Sequence, residues 1–216
     1  MSIDPQADAL LVLNQWLSPA FPVGGFAWSH GLETAIADGD IRDGATLEDW
    51  IGAVLERGSG RSDAILLCHA LRGAPAAEEL DALAGALAAS HERWSETVEQ
   101  GAAFTRTVNA LTGAARPARA LPVAVGEAAA GLGLGAGTVA ALYLQAFAGN
   151  LVSAGIRFIP LGQTEGQGVL SRLRPRILML AEEAAGAGLD GIGGAAFGAD
   201  LAAMRHETQD VRLFRS

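Results

Sequence analysis

The sequence contains no lysine and a single cysteine, and each scarcity excludes a class of function. Without a lysine the chain cannot form the phosphate-binding P-loop of nucleoside triphosphatases. Its basic residues number 15 against 24 acidic ones, so the formal net charge of −9 is unsuited to binding nucleic acid. Cys68 alone cannot form an internal disulfide or a cysteine-rich zinc site, which is typical of a reducing compartment. We therefore expect a protein of a reducing compartment that neither hydrolyses NTP nor binds nucleic acid.

The N-terminal segment and one long uncharged stretch bear on membrane insertion. The segment MSIDPQADALL has no basic region of the kind that begins a secretory signal. Between Glu127 and Arg157 the chain carries no formal charge, and such a length can span a bilayer. However, this stretch is rich in alanine and glycine, and its first residues, GLGLGAG, disfavour a helix. We predict a buried helix over residues 137–154 rather than a membrane span.

Helical patterns recur along the chain, whereas the alternating β-branched and aromatic runs of strands are scarce. The 216 residues are 50% hydrophobic, enough for one sizeable core. We predict an all-α, single-domain bundle of roughly eight to ten helices covering residues 1–216. Particular expectations are a helix from Ser29 to Gly39, a capping pair of Thr46 and Asp49, a helix from Pro75 to Ala89, and two separate helices in TEGQGVLSRL and PRILMLAEEAAG.

Few residues are spaced for catalysis or for a metal. Cys68 lies beside His69 in the middle of a predicted helix, where adjacent side chains diverge by about 100° and a core role is favoured. His30 and Glu33 are three residues apart and share a helical face, so they are a possible ligand or acid–base pair. No third ligand or HExxH motif accompanies them. We predict no catalytic residue, metal site or cofactor, and keep as alternatives a small hydrolase or lyase using this pair, or a metal-binding bundle.

The loop SPAFPVGGFAWSHGLE, residues 18–33, combines rigid and aromatic residues. Its two prolines stiffen the backbone, and its glycine pair allows a sharp turn. Phe21, Phe26 and Trp28 offer apolar area that loses little entropy on binding. The loop is therefore either a docking surface for another protein or a plug of the core between two helices, and the residues alone favour neither interpretation.

Three separated segments resemble the urease accessory protein family UreF. LNQWLSPAFPVGGFAWSHGLETAI is similar to the N-terminal signature of that family. LYLQAFAGNLVSAGIRFIPLGQTEGQGVL resembles its uncharged helix and following turn, and MRHETQDVRLFRS resembles its C-terminal tail. The segments occur in the same order as in the family, so the resemblance extends over nearly the whole chain.

The resemblance implies a non-enzymatic, all-α, cytoplasmic homodimer that takes part in nickel insertion. Members of the family join the accessory protein UreD or UreH and recruit the GTPase UreG, and together these proteins load nickel into apo-urease. An internal path for nickel is also attributed to the family, which implies only transient metal contacts. Carried onto this sequence, the implied partner-binding residues are Phe26, His30, Glu33, Gln163, Gln167, Arg212, Leu213 and Phe214.

The C-terminal residues 205–216 place an apolar pair, Leu213 and Phe214, among arginines. Such a pair is unusual in a terminal segment, which is commonly frayed and polar. We expect this tail to become ordered when a UreD-type partner binds, with Arg212 donating a charge-assisted hydrogen bond. The alternative is that the apolar pair folds back onto the core of its own chain.

Overall fold

The computed structural model describes residues 4–215, within which the chain is helical and has no β-strand. The first three residues and Ser216, which ends the predicted tail, lie outside the described residues. Within the described range, ten α-helices confirm the predicted all-α bundle. They are α1 (Pro5–Trp16), α2 (Leu32–Ala37), α3 (Gly44–Arg57), α4 (Ser59–Arg72), α5 (Ala77–Leu87), α6 (His91–Thr112), α7 (Leu121–Ala129), α8 (Ala136–Phe158), α9 (Gln163–Gly186) and α10 (Phe197–His206).

Helix α8 is the apolar helix expected from the uncharged stretch, and it extends past the predicted 137–154 at both ends. It is the one helix among the described residues whose length and composition would suffice to cross a membrane. Half of its most apolar 18-residue window is nevertheless buried by the rest of the chain. Because α9 and α4 pack along it, α8 belongs to the centre of the bundle.

Helix α6 has a continuous buried face made of residues spaced four apart. This spacing keeps side chains on one side of a helix. The face begins with polar side chains near the start of the helix and becomes apolar toward its end. Its members are Glu92, Glu96, Gln100, Phe104 and Val108. Phe104 contacts the rings of Trp16 and Phe21 and anchors the apolar end in the core, so the polar end is held inside the protein.

The starts of two helices differ from the predictions. Helix α3 is capped by Asp43 and Thr46, not by Thr46 and Asp49, because it begins at Gly44. There the Asp43 carboxylate accepts from the Thr46 amide at 2.9 Å, and the Thr46 hydroxyl accepts from the Asp43 amide at 3.2 Å. Helix α5 begins at Ala77 rather than Pro75, because Ala76 has extended backbone angles.

Two further helices differ in length. Helix α2 covers only Leu32–Ala37 of the predicted Ser29–Gly39, because the backbone is left-handed at His30 and Gly31 before it and at Gly39 after it. The two helices predicted on either side of Pro175 are one continuous helix, α9. Pro175 lies on the exposed side, and packing of α9 along α8, α3 and α4 stabilises the helix despite the missing amide.

Candidate functional site

The backbone between the short 3₁₀ turn Gly25–Ala27 and helix α2 has unusual dihedral angles. His30 has a φ of 60°, the only positive φ of a non-glycine residue in the described range, and Gly31 follows with a φ of 76°. Such angles are strained for a side-chain-bearing residue and persist only when surrounding contacts hold them. At Gly31 a Cβ atom would lie 2.7 Å from the backbone nitrogen of Ala203 in α10. The glycine therefore allows α10 to cross directly over the turn.

His30 is buried and is held from three sides. Its Nδ1 lies 3.3 Å from Oε2 of Glu96 on α6, and its Nε2 lies 2.7 Å from the hydroxyl of Ser59 on α4. The Phe147 ring of α8 packs edge-on against the imidazole at 5.4 Å between centroids. His30 therefore connects α4, α6 and α8 at the centre of the bundle.

Glu96 also belongs to a buried group of charged and polar residues, the Arg93 network, formed by Arg93, Asp63, Glu96 and Tyr143. Nη2 of Arg93 lies 2.7 Å from Oδ2 of Asp63, and Nη1 lies 3.6 Å from Oε2 of Glu96. The Tyr143 hydroxyl donates to Asp63 at 3.0 Å. A single guanidinium thus faces two carboxylates, all with little solvent exposure.

The two carboxylates of the Arg93 network have pKa values displaced in opposite directions. Burial acts to raise the pKa of Glu96, but the Arg93 charge and the His30 hydrogen bond outweigh it and lower that pKa. Burial raises the pKa of Asp63, because the Arg93 charge and the Tyr143 hydrogen bond offset only part of the desolvation. The network is consequently sensitive to loss of its one cation.

A second buried group, the His206 network, lies where α2, α6 and α10 meet. It consists of His206, Glu33, Glu92 and Arg212. His206 is fully buried, with Nδ1 at 2.7 Å from Oε2 of Glu92 and Nε2 at 3.3 Å from Oε2 of Glu33. Oε1 of Glu92 also accepts from Nη1 of Arg212 at 2.6 Å. Both imidazole nitrogens therefore face carboxylates.

The C-terminal segment, residues 207–215, packs on this network. Glu33 accepts the backbone amides of Leu213 and Phe214, each at 2.9 Å. Phe214 is buried against Phe158 of α8, whereas the Leu213 side chain is 79% exposed. The Arg215 amide donates to the Ala27 carbonyl at 2.8 Å, which joins the segment to the loop of residues 18–33, here called the first loop. The apolar pair is thus divided between core and solvent, and dependence of residues 205–216 on a partner stays a prediction.

The residues implied by the family resemblance fall into an exposed and a buried set. Phe26, Gln163, Gln167 and Leu213 are exposed, as is part of the Arg212 side chain. His30, Glu33 and Phe214 are buried. Arg212, which we expected to bond a partner, bonds Glu92 of its own chain.

Two adjoining cavities connect three of the exposed residues. Phe26 lines one of about 250 Å³, and Gln163 and Gln167 line a neighbouring groove of about 440 Å³. The two share walls from Pro19 in the first loop and Ser153 in α8. Phe26, Gln163 and Gln167 therefore open onto one side of α8, whereas Leu213 and Arg212 line neither cavity.

The three aromatic residues of the first loop, which we considered either as a docking surface or as a plug of the core, differ in exposure. Phe21 and Trp28 are buried in the core, and Phe26 is 66% exposed. The loop is therefore a core plug that leaves one ring at the surface, where the Phe26 carbonyl accepts a hydrogen bond from Arg157 at 3.0 Å.

The predicted pairing of His30 and Glu33 on one helical face is wrong, because α2 begins after His30. His30 bonds Glu96 and Ser59, whereas Glu33 bonds His206 and the C-terminal segment. Among residues 4–215 no group of three or more His, Cys, Asp or Glu is arranged to hold a metal ion. Cys68 is buried as predicted, and burial raises the pKa of its thiol to about 11, which disfavours the nucleophilic thiolate.

The sequence interpretation missed both buried networks, although one signal was available. Glu92 and Glu96 continue the spacing of Phe104 and Val108 toward the start of α6, so the apolar face predicts that both carboxylates are buried. Their partners have no comparable signal, because His206 is separated from Glu92 by more than 100 positions.

Comparison with known proteins agrees with the three-segment resemblance. The sequence profile of the UreF family matches residues 41–174. The chain is 62% identical over 208 residues to the urease accessory protein UreF of Cereibacter sphaeroides, with 96% of this chain and 99% of that protein covered. It is 52% identical to the proteins of the same name in Jannaschia sp. and Paracoccus denitrificans, with 96% and 100% of this chain covered and 94% and 99% of those proteins.

Proposed function

Because the chain belongs to the UreF family, and that family consists of urease accessory proteins, we propose that it is a non-enzymatic urease maturation factor in the cytoplasm. In this role it bridges a scaffold protein of the UreD or UreH type to the GTPase UreG, and the complex delivers nickel to apo-urease. The absence of lysine supports a division of labour in which a different chain binds the nucleotide.

The proposal rests on an exposed apolar surface on α10 and the C-terminal segment. Buried ionic contacts hold these two parts of the chain in place. On α10, apolar side chains at intervals of four and three residues face solvent, and the C-terminal segment adds two more. We call this set the α10 surface; its members are Phe197, Leu201, Met204, Val211 and Leu213. Exposed apolar side chains on one helical stripe are typical of protein-binding sites. The His206 network, which lies beneath it, fixes α10 and the segment relative to α2 and α6.

The implied binding residues then have two kinds of role. Leu213 contacts the partner directly, while Glu33 and Phe214 hold the segment in place from below. His30 positions the strained turn over which α10 crosses. Phe26, Gln163 and Gln167, which line the two adjoining cavities, bind another member of the complex. We assign the α10 surface to the UreD-type partner.

Substituting one residue of the α10 surface tests this assignment. Leu201→Asp should abolish co-purification with the UreD-type homologue, because burying an unpaired carboxylate in an apolar interface costs at least about 2 kcal/mol, or about 30-fold in affinity. Leu201 is 51% exposed, so the melting temperature should stay near that of the wild type.

Leu178→Asp is the matched control, since Leu178 is 55% exposed on α9, which packs against α3, α4 and α8. This variant should bind normally. Normal binding by Leu201→Asp would remove the α10 surface from the proposal. Failure of the wild-type chain to bind either the UreD-type or the UreG homologue would contradict the proposed function itself.

We also propose that the chain is a homodimer. Its composition is 50% hydrophobic, and several large apolar side chains away from α10 are exposed, including Leu11, Leu111 and Met179. Light scattering of the purified protein at micromolar concentration should give twice the 22.1 kDa mass of one chain. A monomeric mass at that concentration would contradict this part of the proposal.

A further inference from the structure

We propose that His206 is a proton-operated latch for the C-terminal segment. With both ring nitrogens protonated, His206 holds Glu33 and Glu92 in the positions that bind the segment. Loss of one proton as the pH rises releases residues 212–214. The inference concerns the isolated chain and does not depend on which partner binds to the α10 surface.

The hydrogen-bond geometry of His206 favours the doubly protonated ring. An imidazolium has two N–H donors, whereas a neutral imidazole has one donor and one acceptor. Both ring nitrogens face a carboxylate oxygen, Nδ1 that of Glu92 and Nε2 that of Glu33. In the neutral ring one nitrogen lone pair would point at a buried carboxylate, which is a repulsive contact and leaves an acceptor unsatisfied.

The charges around His206 also favour the doubly protonated ring. The charged groups that face it are Glu33 from α2 and Glu92 from α6, and Arg212 joins from the C-terminal segment through Glu92. Its neighbours on α10 and after it are engaged elsewhere, Arg205 with Asp38 and Glu207 with the first amides of α6. Two carboxylates are thus balanced by an imidazolium and a guanidinium. Deprotonation of His206 leaves one uncompensated negative charge in a buried place.

The carboxylates that depend on His206 are those that bind the segment. Glu33 accepts from the Leu213 and Phe214 amides, and Glu92 accepts from Arg212. Either carboxylate can avoid a neutral His206 only by moving or by taking up water, and both changes disturb its bonds to residues 212–214. Anchoring of the segment is therefore complete while both ring nitrogens of His206 carry a proton, and it is lost when one proton leaves.

The test is an NMR titration of the isolated, full-length protein from pH 5.5 to 9. Two quantities are followed, the shift of the His206 ring protons and the protection factors of the Leu213 and Phe214 amides, corrected for intrinsic exchange. Protection should fall by about tenfold or more, the effect of losing one charge-assisted hydrogen bond, with a midpoint equal to that of His206. In His206→Gln the protection should no longer follow this titration. His91→Gln, at an exposed histidine beside Glu92, should behave as the wild type.

Three outcomes would overturn the proposal. The first is a His206 ring that titrates without a change in the two amides, and the second is a ring that shows no titration between pH 5.5 and 9. The third is an unchanged pH response in folded His206→Gln. If that variant does not fold, the wild type alone tests the proposal, by whether the midpoint of the ring titration equals the midpoint of the change in amide protection. Because no partner is present, none of these results depends on the proposed function.

Discussion

Replacing Arg93 with methionine is expected to lower the free energy of unfolding by about 3–5 kcal/mol, the cost of breaking a buried ion pair by removing one partner. Methionine fills a similar space but leaves Asp63 and Glu96 without their shared cation. Neither carboxylate can reach water easily, since Asp63 and Glu96 are both buried. The loss should exceed that from any surface ion pair in the protein.

Thermal and urea unfolding measure this effect. For a domain of this size the melting temperature should fall by roughly 6–20 °C. Arg172→Met is the matched control, because Arg172 forms a 2.5 Å pair with Glu48 and its side chain is 52% exposed. An exposed pair contributes at most about 1 kcal/mol. Equal losses in the two variants would show that the Arg93 network is not strongly coupled.

The difference between wild type and Arg93→Met should also depend on pH. In the wild type the lowered pKa of Glu96 contributes stability above the ordinary carboxyl range, and this is lost as the pH falls. The raised pKa of Asp63 acts in the opposite sense and costs stability at neutral pH. Without Arg93, Asp63 keeps only the Tyr143 hydrogen bond and Glu96 only its contacts with His30 and Gln100. Protonation of these carboxylates therefore removes much of the penalty. Unfolding free energies at pH 7 and pH 5 should differ less between the two proteins at pH 5; a wider gap at pH 5 would contradict this explanation.

The helices could be predicted from sequence because their signals are local. The apolar spacing along α6 and the uncharged stretch of α8 each reflect which side of a helix is buried. Errors occurred where backbone angles or long-range packing decide, as at His30, whose left-handed angle ends the predicted helix, and at Pro175, which α9 accommodates. Neither effect is encoded in a short window of residues.

The candidate site was less predictable than the fold for the same reason. The family resemblance pointed to Glu33 and Phe214, which the structure brings into contact, but their spacing in the sequence is 181 residues. The sequence around His206 does not reveal its partners, because an adjacent residue such as Glu207 does not converge with it on one point. Its actual partners, Glu33 and Glu92, come from two other helices, so only the packing of α2, α6 and α10 reveals the network.

Replacing Gly101 with alanine is expected to destabilise the protein by about 3 kcal/mol, although alanine is favoured over glycine by about 1 kcal/mol inside a helix. Gly101 lies on α6, where an added Cβ would stand 1.9 Å from the carbonyl oxygen of Arg119 and 2.8 Å from the amide nitrogen of Leu121. These are backbone atoms at the start of α7, so no side-chain rotation relieves the clash. The hydrogen bond from the Leu121 amide to the Thr97 hydroxyl fixes the same approach.

Gly149→Ala on α8 is the control that separates this clash from helix propensity. Its added Cβ would meet only a Leu170 methyl group at 3.9 Å, an ordinary contact. This variant should therefore gain about 0.5–1 kcal/mol from the reduced entropy of the unfolded chain. Urea unfolding of both variants should give shifts of opposite sign. Stabilisation by Gly101→Ala would mean that α6 and the start of α7 can separate at little cost, and the close approach at Gly101 would then not be what holds the Glu92 and Glu96 face of α6 in place.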